Sequence, residues 1–190
     1  MVSIASAQQA NIGFGLGASY PDAPDTAAFD SSVFASYSVN KFFAIGLESG
    51  FGWIKKDYNT GDTVIENTTF TQAESINYYT VPLLAAITIS IPMGEGESTL
   101  VPYVKGAAGY SWTTIDGLAD NYTFHGFTWQ AMVGFNYDLG SEANGMKVFL
   151  EAGYRGTMIE AQINQKQYEL DMSGPLAHLG VCFPLGGGNM

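Results

Sequence analysis

Read with a period of two, residues 146–157 separate into two faces. Met146, Val148, Leu150, Ala152 and Tyr154 fall on one side, and Lys147, Glu151, Gly153, Arg155 and Thr157 on the other. Phe149 is the one large apolar residue in the second set. Successive side chains of a strand point to opposite faces, so this pattern predicts a strand with one apolar and one polar side. The alternation returns over 11–20, where Ile12, Phe14, Leu16, Ala18 and Tyr20 oppose Gly13, Gly15, Gly17 and Ser19. It returns again over 32–39, 42–54, about 69–91, 100–114 and 122–139. A last strand ends in Ala177, Leu179, Val181, Phe183 and Leu185, opposite His178, Gly180 and Cys182. Leu84 is an exception on a polar side.

The connections alternate in kind. Polar or acidic loops are expected at 21–30, 55–67, 115–121 and 162–167, and short turns at Asn40-Lys41, 92–99 and 140–145. An even number of antiparallel strands joined in this way predicts an all-β fold. The expected fold is an eight-stranded antiparallel up-and-down transmembrane β-barrel with short periplasmic turns and longer extracellular loops. The apolar faces would then meet lipid and the polar faces line the lumen.

Composition favours this membrane reading. Charged residues make up only 13% of the 190, against roughly a quarter in soluble domains. Glycine, tyrosine and phenylalanine are abundant. No window approaches the 18 or more apolar residues of a membrane-spanning helix. The net charge of −11 argues against nucleic acid as a partner. Cys182 is the only cysteine, and His125 and His178 are not spaced as a zinc pair, so neither a cofactor nor a metal is expected. Residues 1–9 contain Ala5-Ser6-Ala7 followed by glutamine and read as the remnant of an export signal. The barrel domain is placed at 10–186 and a short flexible tail at 187–190.

Four ionisable residues fall on the inward face at similar depth: Glu48, Lys105, Glu151 and His178. Arg155 lies four residues above Glu151 on the same face. Buried charges are costly unless paired, so Glu48 and Glu151 are expected to meet Lys105 and Arg155. The expected result is a salt-bridged plug; a gate or ion path is the alternative. Outward aromatics form two belts, as at the two interfaces of a bilayer. Tyr20, Trp53, Tyr110, Trp112, Phe127, Trp129 and Tyr154 lie towards the loops, and Tyr37, Phe43, Phe135, Tyr137 and Phe183 towards the turns. A soluble lipocalin-like barrel holding an apolar ligand would instead turn these aromatics inward and the charges outward.

Three stretches carry a resemblance to a known family: Tyr37-Ser38-Val39-Asn40-Lys41-Phe42-Phe43-Ala44-Ile45-Gly46-Leu47, Thr80-Val81-Pro82-Leu83-Leu84, and Pro102-Tyr103-Val104-Lys105-Gly106-Ala107. Here the chain resembles the small eight-stranded outer-membrane β-barrels of Gram-negative bacteria, of OmpA/OmpX type, over nearly all of 11–185. The resemblance implies an outer-membrane location, with outer-membrane lipid and lipopolysaccharide as partners. It also implies a structural or surface-interaction role: membrane integrity, adhesion or contact with a host. Acidic loops would face an extracellular ligand or host surface, and the barrel would be a monomer. Members often end in an aromatic, whereas Phe183 is followed here by Pro184 and further residues. Similar barrels include lipid-A acylhydrolases and acyltransferases that use a histidine with a serine near the bilayer edge. His125 would be the base, but no Ser/His/acid set of defining spacing accompanies it. The chain is therefore not expected to be an enzyme.

Overall fold

The computed structural model describes residues 9–65, 68–91, 100–116, 122–140, 145–163 and 165–185, without side chains for 58–74 and 163. Residues 1–8 of the expected export-signal remnant, the turn at 92–99 and the tail at 187–190 lie outside the described residues, while Gln9 opens the first strand, opposite Ser38. The strands are β1 (Gln9–Ser19), β2 (Ala28–Ser38), β3 (Phe43–Ile65), β4 (Thr68–Ser90) and β5 (Leu100–Asp116). They continue with β6 (Tyr122–Asp138), β7 (Lys147–Ile163), β8 (Lys166–Asp171) and β9 (Gly174–Leu185). Each pairs antiparallel with its chain neighbour from β1 to β7, and β9 closes the ring between β7 and β1.

The barrel has eight walls because β8 and β9 make one of them together. Strand β9 pairs with 147–155 of β7 and β8 with 158–163 above it. The break falls at Met172 and Ser173, whose groups keep the ladder satisfied. Met172 N donates to Thr157 O at 2.9 Å, and Thr157 N donates to Ser173 Oγ at 3.0 Å. The turn between β2 and β3 is set by Asn40, whose Oδ1 accepts the amides of Phe42 and Phe43 at 2.8 and 2.9 Å.

Four predicted loops are corrected. The stretch 55–67 is largely strand: β3 runs to Ile65 and β4 starts at Thr68, paired from Lys55↔Asn77 to Ile65↔Thr68. The stretch 162–167 is the β7–β8 hairpin, with Gln162 opposite Gln167. Strand β5 continues through Ile115 and Asp116. Strand β2 begins at Ala28, so Asp30 belongs to a strand and not to the acidic loop.

One cause underlies the first three of these misreadings. From Phe43 to Trp53 is about 33 Å of strand at about 3.3 Å per residue, or about 25 Å of height at a tilt near 40°. That height matches an outer-membrane apolar band, and beyond Trp53 the outer face meets water. The parity of each strand continues there while its polarity inverts. On β7, Leu150, Ala152 and Tyr154 point outward below the belt and Glu151 inward, but above it Glu160 points outward and Ile159 inward. On β6, Trp129 is outside and Gln130 inside, yet four to six residues towards the loop His125 is outside and Phe124 inside. The inner residues of this upper section form an apolar cluster: Ala28, Ile54, Tyr78, Ile115, Phe124, Ile159, Ala161 and Met172.

Candidate functional site: the lumen

The lower lumen is built on one row of cross-strand neighbours. Register places Asp30, Gly17, His178, Glu151, Gly134 and Tyr103 side by side around the wall, from β2 to β5 through β1, β9, β7 and β6. The two glycines let the side chains beside them lie over the wall. A Cβ on Gly17 would come within 2.6 Å of the His178 ring, and one on Gly134 within 2.6 Å of the Tyr103 ring. Across Gly17, His178 Nε2 lies 2.8 Å from Asp30 Oδ1, and on its other side Nδ1 lies 3.2 Å from Glu151 Oε1 of the neighbouring strand. Tyr103 donates its hydroxyl to Glu151 Oε2 at 2.8 Å.

Four further side chains cross the lumen and close the row into a circuit. Lys105 Nζ sits 2.7 Å from Glu151 Oε1 and 2.9 Å from Glu48 Oε2. The second contact is charge proximity, because Glu48 Oε2 receives no aligned hydrogen bond. Glu48 Oε1 accepts Gln130 Nε2 at 2.7 Å. Gln130 Oε1 accepts Arg155 Nε and Nη2 at 3.4 Å each, and Arg155 grips Asp30 with Nη1 at 2.8 Å and Nη2 at 3.3 Å. Every charged member is buried except Arg155, which is 11% exposed. Phe34 and Phe149 pack edge to face beneath, 5.6 Å between ring centres.

The structure places Glu48, Lys105, Glu151, Arg155 and His178 inside the lumen. It corrects one expected pairing: Arg155 meets Asp30, and Lys105 alone serves both Glu48 and Glu151. Arg155 stands about 13 Å of strand above Glu151 at about 3.3 Å per residue, and so faces the far wall at the level of Asp30. Asp30 is the acceptor that the sequence reading missed. Its parity with Ser32 and Ser36 would have placed it inside had the strand been extended upward.

On the turn side lies a cavity of about 130 Å³, lined by Asn11, Ser36, Thr88, Asn136, Lys147 and Cys182 and reaching Lys105, Glu48 and Glu151. Buried Cys182 fills part of this wall. The aromatics of both belts stand on the outer face; Tyr37, Trp53, Tyr110, Trp112, Phe127, Trp129, Phe135, Tyr137, Tyr154 and Phe183 are exposed and Phe43 is half-buried. A soluble barrel would have the reverse arrangement, so that reading is dismissed. His125 also points outward, stacked on Tyr110 and 2.7 Å from its hydroxyl through Nδ1.

Two solved structures share this architecture. Neisserial surface protein A superposes with a TM-score of 0.55 at 12% identity, covering 92% of this chain and 95% of that one. The outer membrane protein OprG of Pseudomonas aeruginosa superposes with a TM-score of 0.58 at 13% identity, covering 95% and 97%. A comparison with curated protein sequences finds no match. The family model described as outer membrane protein beta-barrel domain matches residues 1–174. By that match and by its lipid-facing aromatic belts, the chain belongs to the outer-membrane β-barrel family and resides in the outer membrane of a Gram-negative bacterium.

Proposed function

We propose that this barrel is a closed, monomeric outer-membrane protein with a structural and surface-contact role, its lumen plugged by the charged circuit. The observation that carries this reading is the circuit itself: Glu151–Lys105–Glu48–Gln130–Arg155–Asp30–His178 returns to Glu151 and ties six of the eight walls. Eight strands enclose a space about as wide as the side chains that fill it. The apolar cluster above adds a second closure. The exposed acids of the loop end, among them Asp22, Asp25, Asp57, Asp116 and Glu160, would meet a cationic partner or lipopolysaccharide bridged by divalent ions.

The test is Arg155→Ala in planar bilayers together with heat-modified gel mobility. Removing one partner of a buried pair leaves Asp30 undercompensated, so the unfolding free energy should fall by about 3 kcal/mol. Conductance should stay at the closed level of the parent. A clear rise in single-channel conductance would instead make the circuit a gate.

A further inference from the structure

We propose that His178 closes the circuit as an imidazolium, and that loss of its proton loosens the plug. This rests on the plug reading above and adds what controls it. Each ring nitrogen faces a carboxylate oxygen, Nε2 that of Asp30 at 2.8 Å and Nδ1 that of Glu151 at 3.2 Å. A neutral imidazole carries one N–H, so its other nitrogen would turn a lone pair towards a carboxylate. Only the doubly protonated ring donates on both sides.

Charge balance leads to the same state. The groups around the ring come from every wall packed against it. Asp30 on β2, Glu48 on β3 and Glu151 on β7 are the carboxylates; Lys105 on β5 and Arg155 on β7 are the fixed cations. Tyr103 on β5 donates to Glu151, Gln130 on β6 is neutral, and β1 contributes Gly17. On β9 itself Cys182 lies a turn lower, across from Lys147. With His178 charged, three carboxylates meet three cations. With it neutral, one buried negative charge is uncompensated, and low-polarity surroundings make that costly.

The location makes the proton a release. His178 joins the Arg155–Asp30 pair to the Lys105–Glu151 pair along the wall row, so its deprotonation breaks the circuit into an open chain. The cavity on the turn side reaches Glu151, whereas the apolar cluster covers the loop side. Water from the periplasm therefore supplies and removes this proton.

The experiment uses the full chain in lipid nanodiscs, with ¹⁵N-labelled histidine followed by NMR from about pH 6 to about pH 9. His125→Gln assigns the two rings. At neutral pH His178 should show two protonated nitrogens. On raising the pH it should pass to a neutral tautomer, with a parallel fall in unfolding temperature, while conductance stays at the closed level because the apolar cluster still seals the loop side. Asp30→Asn removes one of the two carboxylates, so its His178 should lose the second proton at neutral pH; His178→Gln should abolish the pH response. A single protonated nitrogen at neutral pH, or a flat unfolding temperature across the titration, overturns the proposal. Failure of the underlying plug looks different: the parent would then conduct already at neutral pH, whatever the state of His178.

Discussion

Above the tryptophan belt and below it, the barrel fills its lumen with opposite chemistry. Below, lipid covers the outside and the inside holds Asp30, Glu48, Lys105, Glu151, Arg155 and His178 in one circuit. Above, the outside carries residues such as Lys55, Asp116 and Glu160, and the inside holds Ile54, Phe124 and Ile159. Strand parity is unbroken across the boundary; only the sign of the polarity changes. The outside medium decides that sign. Where lipid takes the apolar side chains, the interior is left to polar ones that must satisfy one another. Where water surrounds the wall, the interior can be an ordinary apolar core. The two fillings should therefore fail differently: an apolar layer loses stability residue by residue, and a charged circuit loses it as a unit.

The largest expected effect comes from breaking the lower filling at its busiest point. Lys105→Met removes the one cation between Glu48 and Glu151 and should lower the unfolding free energy by about 4 kcal/mol. Adding Glu48→Gln should recover part of that loss, because fewer buried charges are then unpaired. Urea titration in lipid vesicles measures both; a double variant no more stable than the single one would show that the circuit does not act as a unit.

Next in size is the upper filling. Ile159 is fully buried in the apolar cluster, and Ile159→Ala should cost about 3 kcal/mol through lost burial and the cavity left behind. Its effect should add to that of Lys105→Met within a few tenths of a kcal/mol, since the two sites share no partner. Strong coupling in the same urea titrations would mean that the boundary between the fillings is not real.

The lower section was legible from the sequence because lipid enforces a strict alternation. Ile12, Phe14 and Leu16 against three glycines admit one reading, and the inward faces of Glu48, Lys105, Glu151 and His178 follow from parity alone. The upper section was not, because the rule that apolar means outward reverses at the belt. Ile54-Lys55-Lys56 and Glu160-Ala161-Gln162 look like strands giving way to loops, although their ladders continue to Ile65 and Ile163. Asp30 was lost for a different reason: it follows the lower rule, with Phe29 outward and Asp30 inward, but sits where β2 enters the barrel just after a stretch with two prolines. Pairing was harder still. Which cation meets which carboxylate depends on which side chains reach across the lumen, and a linear pattern carries heights but not crossings.

The smallest expected difference is also the most discriminating, because it deletes the same atom in two places. Tyr103 donates its hydroxyl to Glu151 at 2.8 Å inside the charged circuit, and Tyr110 bonds His125 at 2.7 Å on the outer face near the belt. The geometries are nearly equal, but the surroundings are not. Inside, the lost donor leaves a buried carboxylate oxygen with one partner fewer, so Tyr103→Phe should cost about 2 kcal/mol. Outside, water at the interface can take the place of the hydroxyl, so Tyr110→Phe should cost about 0.5 kcal/mol. Paired urea titrations of the two variants measure the contrast directly. Equal losses would mean that the circuit is as wet as the interface, and the lower lumen would then be a hydrated channel rather than a plug.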